Sequence, residues 1–356
     1  MNYTEEEINL ITLCSFTELT YHQRSALLGG LTSTRPDFVK YEKSLIKSLS
    51  DGVYNKVKSL FYDEKYRKKV LDRLEKSGVI CVTYFSENYP EPLKNTEIPP
   101  IVLYCKGNLS LLNTDCFAVV GSRRTAPQAL KECKKIAKEL TQRFTVVSGI
   151  ADGADTAAVE GALESGRIIS VQANGFNHFY PAMNKRLIEK VAERGLLLSE
   201  YPPEIAPQRH HFPIRNRIIA GLSKGTLIVS AGKKSGALIT ANYAAEYGRE
   251  VFAFPYSIGV SSGEGCNYLI KNYGRLAENT LDIFGFFGLD FKPQDGVELS
   301  HDEKKLLDAI RESGEAFLPE LAEKLGVLPF RLIPTISKLE IKGLIVGIGG
   351  NRYSAL

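Results

Sequence analysis

Residues 205–235, IAPQRHHFPIRNRIIAGLSKGTLIVSAGKKS, hold six Lys or Arg and no Asp or Glu. In a chain that is 24% charged with nearly equal signs, about three or four acids belong in a run of this length. Arg209, His210, His211, Phe212, Arg215, Asn216 and Arg217 mix cations, an aromatic ring and an amide. That mixture suits a track for a single-stranded phosphate backbone with exposed bases. Lys233, Lys234, Ser235 and Gly236 follow, between an apolar run and a helical pattern. A Walker loop would need Gly where Leu227 stands, so nucleotide hydrolysis is rejected here.

Three other stretches carry chemistry. In VVGSRRTAP, Gly121 allows a tight turn, Ser122 and the N–H groups after it are expected to open a helix near Ala126, and Arg123 and Arg124 add fixed charge. Together these make an anion site, with a capped helix and two solvated arginines as the plain alternative. In SGIADGADTAAVEGAL, Gly149, Ala151 and Gly153 permit close backbone approach. The spacing is not that of a dinucleotide fingerprint and no ribose-binding acid ends the next strand, which disfavours an NAD site. Asp152 and Asp155 are expected to cap the helix that follows. In GFNHFYPAMNKRLIEK, Phe179 and Tyr180 could stack on bases beside Asn184, Lys185 and Arg186, although core packing with a charged helix face explains this stretch better when it is taken alone. There is no G-x-S-x-G serine, and Asp152, Asp155, Glu200 and Glu264 are explicable as caps or ion-pair partners; a hydrolase built from a spatial cluster stays open at this level.

These residues need a scaffold, and the central pattern supplies one. Strands are predicted at Cys116–Val120, Phe144–Val147, Arg167–Val171, Leu196–Ser199, Gly225–Val229 and Glu250–Ala253. Helices are predicted at Ala126–Leu140, Thr156–Ser165, Met183–Arg194, Arg215–Leu222 and Ala237–Tyr247. Alternation of this kind means an α/β fold, a mostly parallel sheet with flanking helices, whose ligands sit at the carboxyl ends of the strands.

The length of 356 residues suggests two or three domains. Residues 1–75 are expected to be a helical domain, with 12 Lys or Arg against 11 Asp or Glu, 76–290 the extended Rossmann-like domain, and 297–356 a winged helix. The last rests on three short helices and a hairpin turning at Gly349-Gly350-Asn351. Pro334 is expected to kink or shorten the third of those helices. Eight basic and eight acidic residues in 301–356 make that unit a protein contact or a weak DNA contact. Six cysteines form no C-x-x-C pair and five histidines no H-x-x-x-H pair, so no metal is expected. No apolar stretch is long enough to span a membrane, and the acidic start lacks the basic region of a signal peptide, so the chain is expected to be cytoplasmic.

In order, YPEPL, PPIVLYCKG, VVGSRR, VVSGIADGADTAAVEGAL, YPAMNKRL, FPIRNRIIAGLS, SGALITANYAAEYGREVFAFP and SSGEGCNYLIKNYG resemble the DNA-processing protein A family (DprA, also called Smf) over about residues 80 to 290. The resemblance implies an extended Rossmann fold, no enzymatic activity and no cofactor. It implies a homodimer that binds and protects single-stranded DNA and loads the RecA recombinase on it during natural transformation. The family's motifs fall on Gly121, Ser122 and Arg123, on Lys185, on Arg215, Asn216 and Arg217, and on Ser235 and Gly236; Arg124 and Gly149 belong to the same two loops. Where the family often has His in the second loop, Val159 stands nearby.

The expected mechanism has Arg123, Lys185, Arg215 and Arg217 neutralising successive phosphates around a strand-end pocket. Backbone N–H groups at Ser122 and around Ser235 assist, and base preference is slight. Two alternatives are a Rossmann-type nucleotide-derivative hydrolase, whose P-G-G-x-G-T-x-x-E signature is missing, and a scaffold that recruits a protein partner.

Overall fold

The computed structural model describes residues 3–38, 50–290, 299–342 and 344–355. Two compact units divide the chain, Met1–Phe291 and Lys292–Leu356. Residues 291–296, between the second and third expected domains, lie outside the described residues.

The first unit is built on a nine-stranded sheet. Its strands are β1 (Ile80–Thr83), β2 (Val102–Gly107), β3 (Cys116–Val120), β4 (Thr145–Ser148), β5 (Ile168–Gln172), β6 (Leu196–Ser199), β7 (Ser223–Ile228), β8 (Glu250–Ala253) and β9 (Arg275–Leu276). Their order is β1-β2-β6-β5-β4-β3-β7-β8-β9. Every pair from β6 across to β9 is parallel, and β1–β2 and β2–β6 are antiparallel. All residues of β3, β4, β5 and β6 are buried, as parallel strands covered by helices on both faces must be, hence runs such as CFAVV and LLLS without alternation.

The chain leaves β3 for β4 on one side and returns to β7 on the other, so the strand order reverses at β3. A crevice opens outside the carboxyl ends of the strands at such a switch point. Around it, helices Pro127–Leu140, Ala154–Ala162, Lys185–Arg194, His211–Leu222 and Gly236–Glu246 connect the strands. The fourth begins four residues before the predicted Arg215. Pro213 sits in the first turn, where its missing N–H costs no helical bond.

The N-terminal helices Glu5–Ser15, Tyr21–Leu27, Asp51–Phe61 and Glu64–Lys76 do not form a core of their own. Leu10, Ile11, Leu13, Phe61 and Leu74 share one apolar cluster with Val79, Cys81, Ile101, Val102 and Tyr104. The Cys81 amide of β1 also donates to the Tyr3 hydroxyl at 2.9 Å. Residues 3–38 and 50–75 therefore belong to the same compact unit as the sheet rather than to a separate domain.

In the second unit, helices His301–Ser313, Leu318–Leu325 and Pro329–Ile341 carry an antiparallel sheet of β10 (Glu315–Phe317), β11 (Ile345–Gly349) and β12 (Arg352–Ala355) in the order β10-β12-β11. The hairpin turns at Gly349, Gly350 and Asn351, all at positive φ. Pro334 lies inside the third helix, which runs on for seven residues beyond it. The expected shortening is absent: the bond lost by proline belongs to exposed Phe330, whose turn faces water. Among the described residues, no helix is long and apolar enough to cross a membrane.

Candidate nucleic-acid interface

A cleft of about 480 Å³ occupies the switch point. It is lined by Gly121, Ser122, Arg123 and Arg124 after β3, by Phe212, Arg215 and Asn216 on one helix, and by Ser235 and Gly236 at the start of another. Eight of the eleven expected site residues thus meet in one place. The other three are Gly149, Lys185 and Arg217.

The turn after β3 is internally bonded. The Ser122 amide donates to the Ser230 carbonyl at 2.8 Å, and the Ser122 hydroxyl accepts from the Arg124 amide at 3.2 Å. The expected anion contact from the Ser122 N–H is therefore not available, because that group bonds the end of β3 to the segment after β7. Nor does Ser122 cap the next helix, which starts at Pro127 with Ala126 before it. This bonded turn leaves Arg123 and Arg124 exposed, and the Arg123 guanidinium lies over the Phe212 ring, 5.6 Å from its centroid. Ser235 does cap its helix, accepting from the Ala237 amide at 3.3 Å, so the positive end of Gly236–Glu246 opens on the cleft.

Arg215 is 4% exposed and forms the floor. Its Nη1 donates to the carbonyls of Gly149, at 3.1 Å, and Val171, and its Nε donates to the Asn216 side chain at 3.2 Å. Asn216 in turn donates to the Gly236 carbonyl at 3.3 Å, fixing one helix against the next. Asp155, buried, faces Arg215 across Gly149 and accepts from the Gly121 amide at 3.4 Å. It is not a helix cap: Gly153 holds that position, at φ 80°. Burial pushes the Asp155 carboxyl above its ordinary range, opposed by the charge of Arg215 and by the Gly121 and Ala151 amides. A Cβ at Gly149 would overlap both Nη atoms of Arg215 and Oδ2 of Asp155. Glycine there leaves room for two buried opposite charges that face each other without a hydrogen bond between them, whereas the sequence suggested room for a ligand.

Lys185 stands beside the cleft, at the start of its helix. The preceding Asn184 donates to the Ile150 carbonyl at 3.0 Å and the Thr156 hydroxyl at 2.9 Å, which ties this segment to the end of β4. Lys185 lies over the Phe179 ring at 5.0 Å, and Tyr180 packs on Phe212 with centroids 5.3 Å apart. The rim therefore has a cation at each end, Lys185 over Phe179 and Arg123 over Phe212, with Tyr180 packed on Phe212 between them.

Arg217 is elsewhere. Two positions beyond Arg215 on the same helix, it points away from the cleft, 4% exposed in its side chain, with Nη2 donating to both Glu200 oxygens at 2.7 and 2.6 Å. It cannot serve the same phosphates as Arg215. The sequence held no signal for this beyond helical spacing, since Glu200 and Asp155 find their arginines only through the fold.

The comparisons agree with this architecture. The family model described as DNA recombination-mediator protein A matches residues 80–288. A DNA processing protein DprA from Streptococcus pneumoniae is 42% identical over 200 residues, 56% of this chain and 71% of that protein. A protein Smf from Escherichia coli is 35% identical over 304 residues, 82% of this chain and 81% of that one. The X-ray structure of DNA processing protein A from S. pneumoniae superposes with a TM-score of 0.69 at 33% identity, covering 82% of this chain and 99% of that one. A structure of DNA processing protein A from Helicobacter pylori, described as giving insight into its unique single-stranded DNA binding mode, gives 0.55 at 30% identity, covering 60% of this chain and 97% of that one. The cleft, its loops and the sheet beneath them all lie within the matched span, and the chain belongs to the DNA recombination-mediator protein A family.

Proposed function

We propose that the switch-point cleft binds single-stranded DNA by its phosphates and by stacking, with no chemical step. The observation that carries this is the rim, where Arg123 and Lys185 sit over Phe212 and Phe179 beside a helix N-terminus and above the buried Arg215. Cations meet phosphates and rings meet bases, a pairing that accepts any sequence and favours splayed single strands over a closed duplex. Arg215 acts from beneath, holding the Gly149 loop and adding positive potential without surfacing.

The resemblance to DprA proteins supports the finer role: a homodimer that protects incoming strands and loads RecA on them during natural transformation. The second unit supports a protein contact better than a phosphate contact, since Leu328, Phe330 and Ile333 are 58, 63 and 50% exposed on and just before its third helix.

The test is fluorescence anisotropy of labelled oligo-dT against a matched duplex at two salt concentrations. With about four to six phosphates engaged, log K falls with log salt with a slope of about −3 to −4. The double variant Arg123→Ala/Lys185→Ala loses that binding while keeping its fold. Salt-independent affinity, or turnover of a mononucleotide, would overturn the reading in favour of a nucleotide enzyme.

A further inference from the structure

The helix His211–Leu222 is a wall between two cavities. Phe212, Arg215, Asn216 and Ile219 face the cleft; His211, Ile214 and Arg217 face a second cavity of about 600 Å³ behind it. Its far side is the N-terminal segment with Tyr21 and Arg24, and its floor is the Arg217–Glu200 pair. The size falls within the range of small-ligand sites, about 300–1,000 Å³.

Resting on the reading of the cleft as a single-strand site, we propose that this second cavity takes a guanine base. Its walls are planar: Tyr201 and His211 stack with centroids 4.0 Å apart and planes at 22°, with Tyr21 and Tyr243 alongside. Its floor is a matched set of hydrogen-bonding groups. Glu200 receives one Arg217 nitrogen on both oxygens and keeps a further lone pair on each, while Arg217 Nη1 is buried without a partner. The Watson–Crick edge of guanine sets two donors, N1–H and N2–H, beside an acceptor, O6. Carboxylate beside guanidinium is the complement of that edge. Adenine, cytosine and thymine each offer one donor beside an acceptor and so lose one hydrogen bond to a charged group. The first turn of the shared helix borders both cavities, so a strand in the cleft can place one base here; a free guanine nucleotide presents the same edge.

The full chain is titrated with labelled dT12 and with the same oligonucleotide carrying dG at one position, and separately with dGMP by calorimetry. One added hydrogen bond to a charged group predicts about ten- to hundredfold tighter binding of the dG strand. Ile214→Trp, at a rim position 41% exposed, closes the mouth without touching the cleft; it abolishes the dG preference and leaves dT12 binding unchanged. Glu200→Gln removes the preference as well, read only if the variant keeps its thermal transition. Saturable dGMP binding lost in Ile214→Trp, without a strand preference, assigns the site to a free nucleotide. Tight dT12 binding with neither a dG preference nor dGMP binding overturns the guanine site and leaves the cleft standing. A dG preference that survives Ile214→Trp overturns it too, by locating the preference in the cleft. If dT12 itself fails to bind, the reading of the cleft has failed instead, whatever dGMP does.

Discussion

Arg215 and Arg217, two positions apart on one helix, are both buried and point to opposite sides of it. Arg215 lies under the switch-point cleft, bonded to the carbonyls of Gly149 and Val171 and facing Asp155, while Arg217 closes on Glu200 in the floor of a second cavity. Two residues along an α-helix are about 200° of rotation, so a motif that reads Arg-Asn-Arg in sequence is split between two faces in space.

The split separates stability from phosphate binding. Both guanidiniums are essentially removed from solvent, and taking either away leaves a carboxylate without its counter-charge. Arg215→Ala and Arg217→Ala should each cost about 3 kcal/mol of unfolding free energy, measured by denaturant titration. Arg123→Ala, at an exposed position, should leave stability near wild type. The salt dependence then discriminates: Arg123→Ala makes the slope of log K against log salt shallower by about 0.7, and Arg217→Ala leaves it unchanged. An Arg217→Ala protein with the flattened slope of Arg123→Ala would place Arg217 on the strand after all.

Gly149→Ala tests the buried pair directly. The added methyl meets both Nη atoms of Arg215 and Oδ2 of Asp155, and neither group can retreat, because Arg215 is bonded to two carbonyls and Asp155 to a backbone amide. Overpacking of this kind costs about 1–3 kcal/mol. The variant should melt earlier and bind oligo-dT more weakly. Wild-type melting with intact binding would mean that the loop relaxes without cost, and the space at Gly149 would then have no structural purpose.

Much of this was legible in the chain. Apolar runs at two-sided burial gave β3 and β6 their bounds to the residue, and the charge asymmetry of 205–235 led to the helix that walls the cleft. What could not be read was pairing across the fold. Asp155 looked like a cap because acids early in helices usually are, yet Arg215 lies 60 positions away in sequence and becomes its neighbour only when β4 and β5 align. Ser122 looked like a free anion donor until its amide was committed to Ser230. The helix starts at His211, four residues before the predicted Arg215, and takes Pro213 into its first turn, where proline is tolerated.

Phe212 separates stacking from charge. Its ring lies between Arg123 and Tyr180 at the rim, half-buried, so truncation removes a stacking face and the support for a cation without emptying a core. Phe212→Ala should weaken oligo-dT binding by about 1–3 kcal/mol, with the salt slope kept. Phe212→Tyr should restore most of the affinity. Loss of slope together with affinity would show that the ring acts only by holding Arg123 in place.

His211 makes folding pH-dependent in a predictable direction. Its Nδ1 is 3.0 Å from the Ala173 carbonyl, which can only accept, so Nδ1 carries the proton in the neutral ring. Burial holds its pKa below the ordinary 6.5; the bond to Ala173 and the charge of Glu200 oppose this, and neighbouring His210 adds to it. The unfolded chain therefore binds more protons than the folded one between the depressed value and 6.5. The neutral-ring contribution to stability is complete above about pH 6.5 and is lost as pH falls through that window. His211→Asn keeps a donor for Ala173 and removes the titration. Denaturant curves at about pH 7.5 and 5.5 should show wild type losing more stability on acidification than His211→Asn, the difference between the two proteins cancelling the other four histidines. Equal losses in both, or an NMR titration placing His211 at or above 6.5, would show that the stacked ring beside Tyr201 stays open enough to charge freely.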